Sequence, residues 1–175
     1  SSAASDVYKR QVIGGLLSLG IPEFKLEKWV VKRRIDLLEK EGIEFFTNVN
    51  VGVDYKVEDL DKDFDAVCLA GGSTIPRNLE VEGRDLNGIH YAMEYLTQQN
   101  KNHKGLSKEE IIDARGKHVV ILGGGDTGAD CLGTATRQGA ASVTQLELMS
   151  APPEQRGKYN PWPEWPLIMR TSSAH

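Results

Sequence analysis

A glycine-rich turn that follows a short apolar segment constrains the fold of this chain more than any other feature. The apolar residues 119–122 lead into Gly123-Gly124-Gly125-Asp126-Thr127-Gly128, after which the pattern is helical. Strand, G-x-G-x-x-G and helix in this order are typical of a site for a dinucleotide pyrophosphate. The first glycine permits a tight turn, the second lets the backbone approach the phosphates, and the third lets the helix pack against the strand. The alternative is a glycine-rich turn without a ligand.

The segment after this turn completes a β-α-β unit. Gly139 is the predicted helix end, and residues 143–148 are predicted to form a second strand. Glu147 lies 19 residues after Gly128, the distance at which an acid holds the 2′-hydroxyl of an NAD ribose. Arg156, a little further on, could instead pair with the 2′-phosphate of NADP. The choice between NAD and NADP therefore stays open, and Glu147 could also be an exposed strand-end carboxylate.

Composition and charge exclude several classes of protein. The 175 residues are 39% hydrophobic and 26% charged, with a net charge of −4, which is typical of a globular protein. This charge gives no reason to expect nucleic-acid binding, and no apolar run approaches the length of a membrane span. We expect a cytoplasmic protein with neither nucleic acid nor membrane as a partner.

Cysteine and histidine give no sign of metal or nucleophilic chemistry. The two cysteines, Cys68 and Cys131, lie among apolar or small residues, and we interpret both as core thiols in a reducing compartment. The four histidines are scattered without the spacing of metal ligands. The sequence therefore predicts no metal site and nominates no catalytic residue.

The remaining pattern alternates helical and extended segments. Residues 1–11 are polar and unpatterned, and we expect them to be an artefact or a disordered tail outside the fold. Residues 14–22 predict a glycine-punctuated loop, and residues 65–70 a continuously apolar strand of the kind buried in a parallel sheet. The other predicted elements are a helix over 25–41 that Gly42 ends, a strand over 43–48, a surface helix or loop over 52–63, an irregular crossing over 75–88 and a helix over 89–99.

The last part of the chain is rich in proline and tryptophan. Residues 151–153 and 160–166 hold five of the seven prolines and two of the three tryptophans. Proline excludes a regular ladder of hydrogen bonds here. Such a segment is either a loop packed on its own domain or a contact surface for a partner or substrate.

Four motifs together resemble one family, the small (beta) subunit of glutamate synthase. The resemblance covers residues 12–175, and the proline-tryptophan run is its most specific part. In order, the motifs are residues 14–25, Gly-Gly-Leu-Leu-Ser-Leu-Gly-Ile-Pro-Glu-Phe-Lys, residues 65–72, Asp-Ala-Val-Cys-Leu-Ala-Gly-Gly, residues 123–131, Gly-Gly-Gly-Asp-Thr-Gly-Ala-Asp-Cys, and residues 160–166, Asn-Pro-Trp-Pro-Glu-Trp-Pro.

The resemblance implies an α/β fold of Rossmann-like three-layer domains, in which an FAD domain is interrupted by an NAD(P)H-binding domain. Residues 12–115 would be part of the FAD domain with the crossover, and residues 116–175 the beginning of the NAD(P)H domain. NAD(P)H would pass a hydride to FAD, and electrons would reach the large (alpha) subunit through iron–sulfur clusters for synthesis of glutamate from glutamine and 2-oxoglutarate. The cofactors carry this chemistry, so no side chain is nominated as catalytic.

The family's binding residues transfer to two groups of positions. By resemblance, FAD lies against Gly14, Gly15, Leu17, Val51, Ala70, Gly71 and Gly72. NAD(P)H lies against Gly123, Gly124, Gly125, Asp126, Thr127 and Gly128, with Glu147 and Arg156 as the candidates near the ribose.

Three departures from the family pattern suggest an internal fragment. The FAD domain's own G-x-G-x-x-G, the cysteine-rich iron–sulfur segment that precedes it and the strands that complete both domains are not in this sequence. We therefore expect the 175 residues alone to bind FAD poorly and to be inactive. The alternatives are a sister FAD/NAD(P)H electron-transfer flavoprotein, similar to ferredoxin or pyrimidine reductases, and a non-enzymatic dinucleotide-binding module.

Overall fold

The computed structural model describes residues 3–6, 12–72, 75–105, 111–171 and 174, with only the backbone described at 3–6. The chain divides into two units, unit 1 (Ser1–Ser107) and unit 2 (Lys108–His175). The predicted domain boundary at residues 115 and 116 lies a few residues further along the chain than this division. The assignment of the two parts to FAD and NAD(P)H domains stays a prediction.

The described residues of unit 1 form a parallel pair of strands and four helices. Strand β1 pairs with β2 so that Ala3 lies opposite Glu44 and Asp6 opposite Thr47. The sequence predicts that residues 1–11 are an artefact or a disordered tail, but residues 3–6 form β1, and residues 1–2 and 7–11 lie outside the described part. An unpaired strand edge can accept any extended segment, because main-chain groups make the ladder. The elements are β1 (Ala3–Asp6), α1 (Gly15–Leu19), α2 (Lys28–Lys40), β2 (Glu44–Thr47), α3 (Val57–Asp63) and α4 (Ala92–His103).

Helix α2 ends where the glycine pattern predicts. Gly42 adopts a left-handed conformation with φ 88°, which costs a glycine little because it has no Cβ. Its N–H donates to the carbonyl of Glu39 at 3.0 Å, and the N–H of Ile43 donates to the carbonyl of Leu38 at 3.0 Å. These two bonds form a Schellman motif, which satisfies carbonyls at the end of the helix. The predicted stop at Gly42 is confirmed.

A buried amide joins α1 to α4. The Asn100 Nδ2 group donates to the carbonyls of Leu19 and Gly20, each at 3.2 Å, and of Leu96 at 3.0 Å. Leu19 and Leu96 are almost fully buried beside it. The loop predicted over residues 14–22 is therefore wrong at its centre, where α1 forms. The short helix is held from outside by α4, a contact that local propensity does not reveal.

The apolar segment 65–70 is not the buried strand that its sequence predicts. All six residues are exposed and none lies in a strand. Within the described residues of unit 1, the sheet consists of β1 and β2, so this segment has no strand neighbour there. The prediction of a core thiol at Cys68 is wrong for the same reason, since Cys68 is exposed.

Unit 2 contains the predicted β-α-β arrangement. Strand β3 (His118–Leu122), helix α5 (Asp126–Gln138) and strand β4 (Ser142–Leu146) follow one another. The strands are parallel, with His118 opposite Ser142 and Leu122 opposite Leu146. Gly139 ends α5 in a left-handed conformation, φ 87°, which confirms it as the helix stop.

The core of this β-α-β arrangement is built largely by α5. Ala129, Cys131 and Ala135 are buried apolar residues of this helix, and Ile121 is the buried residue of β3. The buried residues of α5 are mostly small, which lets the helix lie close to the strands. Cys131 is a core thiol, as the sequence predicts.

The proline-rich segment after β4 forms neither helix nor strand in its described residues. The segment 75–88 is likewise irregular, as predicted. Helices in the described part of the chain are all too short or too polar to cross a membrane.

Candidate nucleotide-binding site

The first glycine of the loop is held by both its backbone groups. Gly123 has φ 124°, a backbone conformation that residues with a side chain rarely adopt. Its N–H donates to the carbonyl of Leu146 at 2.8 Å, and its carbonyl accepts a hydrogen bond from the Gln145 Nε2 group at 2.7 Å. Strand β4 therefore fixes the start of the turn. Sequence reasoning missed Gln145, whose only signal is an amide side chain near the end of β4, just before the candidate acid Glu147.

The third glycine lies against the first. A Cβ built on Gly128 would be less than 3.0 Å from the carbonyl oxygen of Gly123, and 2.7 Å from the Gln145 Nε2 atom. Real Cβ atoms do not come so close to other atoms, so only glycine fits. This is the close approach of helix to strand that the G-x-G-x-x-G spacing predicts.

The second glycine borders open space. A Cβ built on Gly125 meets nothing within 4 Å, and residues 122–127 are exposed. The backbone is therefore accessible on the side where a pyrophosphate would approach. A side chain at Gly125 would fill this cradle without disturbing the protein itself.

The N-terminus of α5 provides donors for an anion. No side chain caps this end of the helix, and Gly125 occupies the capping position. The first N–H groups of a helix have no intrahelical acceptor, and the helix dipole adds partial positive charge. Asp126 and Thr127 begin the helix and are exposed. The arrangement can hold a phosphate through main-chain N–H groups.

Glu147 lies immediately after β4 and folds back onto the loop. Its Oε2 atom accepts a hydrogen bond from the Gly124 N–H at 2.7 Å, and its Oε1 atom accepts from the N–H groups of Leu148 at 2.6 Å and Met149 at 3.1 Å. These backbone donors, that of Met149 first and then those of Gly124 and Leu148, lower the pKa of Glu147 below its ordinary value of 4.5. The carboxylate is therefore charged at neutral pH and fixed beside the glycine loop.

Arg156, the other candidate near the ribose, is engaged elsewhere. Its Nη1 group donates to the carbonyl of Glu164 at 2.8 Å and to the carbonyl of Asn160 at 3.3 Å. The described contacts of this guanidinium thus lie in the proline-rich segment rather than at the glycine loop. Its pairing with a 2′-phosphate stays a prediction.

Four of the seven residues expected beside FAD line one pocket in unit 1. The pocket has a volume of about 370 Å³, within the usual range for ligand sites. Its wall is largely apolar, with Arg34 as its cation. The four predicted residues on it are Gly14, Gly15, Leu17 and Ala70.

The other three FAD candidates are not on this pocket. Val51 forms an isolated bridge with Tyr55, and a Cβ on Gly71 or Gly72 would meet nothing within 4 Å. Their role beside FAD stays a prediction. In the described part of the chain, no group of three histidine, cysteine or acidic residues is placed to hold a metal ion.

Comparison with known proteins connects this geometry to a family. A family model for pyridine nucleotide-disulphide oxidoreductases matches residues 16–158. A solved structure of a variant of FprA from Mycobacterium tuberculosis covers 75% of this chain and 33% of its own, with a TM-score of 0.55 and 24% identity. At this identity the structural likeness supports the Rossmann-like α/β fold alone.

Similar sequences include small chains of glutamate synthase. The NADPH-dependent small chain of Mycobacterium tuberculosis is 53% identical over 171 residues, which is 93% of this chain and 34% of that protein. The NADPH-dependent small chain of Bacillus subtilis is 48% identical over 93% of this chain and 33% of its own. The NADH-dependent glutamate synthase of Schizosaccharomyces pombe is 52% identical over 93% of this chain and 8% of its own. The chain thus spans about a third of the small chains that it matches.

Proposed function

Because this chain belongs to the pyridine nucleotide-disulphide oxidoreductase family, we propose that residues 123–128 bind the pyrophosphate of NAD(P)H. The observation that carries the proposal is the contrast between two glycines. Gly128 has no room for a Cβ, whereas Gly125 faces open space at an uncapped helix N-terminus. This is the geometry of an anion cradle, and the residues present fit a dinucleotide.

We further propose that the whole protein is the electron-input small subunit of glutamate synthase. Two relatives that carry this name, from Mycobacterium tuberculosis and Bacillus subtilis, are 53% and 48% identical to the chain. When bound, NAD(P)H supplies a hydride to FAD, and the electrons serve the synthesis of glutamate from glutamine and 2-oxoglutarate on a large-subunit partner.

The chain's own residues serve this function by holding and orienting the nucleotide. Gly123 and Gly128 set the shape of the turn, and Gly125 admits the phosphates to the N–H groups of α5. Gln145 keeps the turn in place through the carbonyl of Gly123. A proton-transferring side chain is not required, because hydride transfer depends on the relative position of the two cofactors.

The residues of this chain provide only part of a site for FAD. Gly14, Gly15, Leu17 and Ala70 line the pocket of unit 1, but the sequence has a single G-x-G-x-x-G, and it lies in unit 2. FAD phosphates therefore have no corresponding cradle among these residues. We propose that the 175 residues by themselves bind FAD weakly and have no catalytic activity.

The test is a titration of the ¹⁵N-labelled chain with NADH and NADPH, followed by the amide signals of residues 123–128. We expect these signals to shift with saturation, and the Gly125→Ala variant to lose the shift while its other signals stay in place. Thr136→Ala, a change at an exposed position of α5, is the matched control. This variant should bind the nucleotides as the wild type does. Unchanged amide signals at millimolar nucleotide would refute the proposal.

A further inference from the structure

The loop position between the first two glycines of the motif is in contact with the acid after β4. Gly124 is the first variable position of G-x-G-x-x-G, which the motif itself leaves open to any residue. Its N–H donates to the Oε2 atom of Glu147 at 2.7 Å. A residue 23 positions further along the chain is thereby tied to the phosphate loop.

The backbone conformation at this position would allow a side chain, but the side chain of Glu147 occupies the space that it would enter. Gly124 is outside the left-handed region that Gly123 occupies. A Cβ on Gly124 would nevertheless lie less than 3.0 Å from the Glu147 Oε2 atom, and 3.0 Å from both Cγ and Cδ of that side chain. Any side chain at 124 must therefore displace the carboxylate of Glu147.

The fixed carboxylate retains capacity for one more donor. A carboxylate offers about four acceptor positions, and the backbone of Gly124, Leu148 and Met149 uses three. A ribose 2′-hydroxyl can donate to the remaining position. A 2′-phosphate brings negative charge to a negative group and is repelled.

We propose that Gly124 is a positioning residue that holds Glu147 where it selects NADH over NADPH. This inference rests on the proposed nucleotide site and names the preferred substrate of that site. The nearby cation that could reverse the preference, Arg156, donates to the carbonyls of Glu164 and Asn160 instead.

The experiment compares the dissociation constants of NADH and NADPH, from amide shifts of residues 125–128, in four forms of the chain: wild type, Gly124→Ala, Glu147→Ala and the double variant. We expect the wild type to bind NADH about tenfold or more tightly than NADPH, as like-charge repulsion demands. Gly124→Ala should bring the ratio close to one. In the Glu147→Ala background, Gly124→Ala should change the ratio no further, because residues that act through one contact are not additive.

Each outcome separates this inference from the proposed function. If neither nucleotide shifts the amides, the proposed site itself is wrong. If both nucleotides bind the wild type equally, or if Gly124→Ala leaves the ratio intact, the site stands and the role of Gly124 is overturned. Thr136→Ala should keep the wild-type ratio, and circular dichroism of each variant shows whether it is folded.

Discussion

Gly128 lies against the carbonyl oxygen of Gly123 with no room between them for a Cβ. The carbonyl also accepts a hydrogen bond from the Gln145 side chain, so it has little freedom to move. The turn, the beginning of α5 and the end of β4 thus meet at one backbone group. Changes at this point are expected to act on folding, and changes at the neighbouring open position on binding.

Gly128→Ala should destabilise unit 2. Overpacking of this kind costs about 1 to 3 kcal/mol, because the new methyl group must push α5 away from β3. Amide hydrogen exchange of α5 measures this local opening free energy. Exchange rates equal to those of the wild type would show that the loop relaxes around the methyl group.

The Gly125→Ala variant should keep the fold but no longer bind the nucleotide. The methyl group meets no protein atom within 4 Å, and exchanging glycine for alanine at an N-cap costs about 1 kcal/mol or less. The same methyl group occupies the space proposed for the pyrophosphate. Hydrogen exchange and NADH titration together check both parts, and unimpaired NADH binding would contradict the cradle.

The Glu147–Gly124 contact should weaken in acid. The pKa of Glu147 is lowered in the folded chain, so its contribution to stability is present above the ordinary value of 4.5 and is lost as the pH falls through the folded pKa. The amide signal of Gly124 should titrate with a midpoint below 4.5. In Glu147→Gln this titration should disappear, and a wild-type midpoint at or above 4.5 would show that the contact does not form in solution.

Asn160→Ala should loosen the proline-tryptophan segment. Asn160 is 5% exposed; its Nδ2 group donates to the Trp165 carbonyl at 2.9 Å, and its Oδ1 atom accepts from the Leu167 N–H at 3.0 Å. Loss of these bonds costs about 1 to 3 kcal/mol. Urea titration of tryptophan fluorescence in a Trp29→Phe background reports on Trp162 and Trp165 alone.

The control for this change is Asn102→Ala, at an exposed position on α4. It should alter stability by no more than about 0.5 kcal/mol. If Asn160→Ala behaves like the control, the amide network does not hold the segment.

The two cysteines should react at very different rates. Cys68 is exposed and Cys131 is buried, and burial, with a smaller contribution from the charge of Asp130, raises the pKa of the Cys131 thiol to about 12. At neutral pH this thiol stays protonated and is a poor nucleophile. A thiol reagent should modify one cysteine in the folded chain and two in denaturant, with Cys68→Ser abolishing the fast reaction.

Local pattern was sufficient for the β-α-β arrangement of unit 2. The apolar run of β3, the spacing of Gly123, Gly125 and Gly128 and the stop at Gly139 are all encoded within a few residues of where they act. The same holds for the end of α2 at Gly42. These features depend on backbone geometry and short-range hydrogen bonds, which the sequence specifies directly.

Burial and long-range partners were decided only by the tertiary structure. Segment 65–70 has the composition of a core strand but is exposed, because composition does not provide the neighbouring strands that bury it. The five-residue α1 exists through contacts with Asn100, some 80 residues away. Short elements lack the internal hydrogen bonds to form without such support.

The sequence by itself determined the glycine loop and its G-x-G-x-x-G geometry, along with an acid 19 residues after Gly128. The tertiary structure alone decided the partners of three side chains. Glu147 accepts a hydrogen bond from the Gly124 N–H, Gln145 donates to the carbonyl of Gly123, and Arg156 donates to the carbonyl of Glu164 in the proline-rich segment. The physical reason is that a turn is set by neighbouring backbone dihedral angles. The partner of a long polar side chain depends instead on which main-chain groups folding brings within about 3 Å.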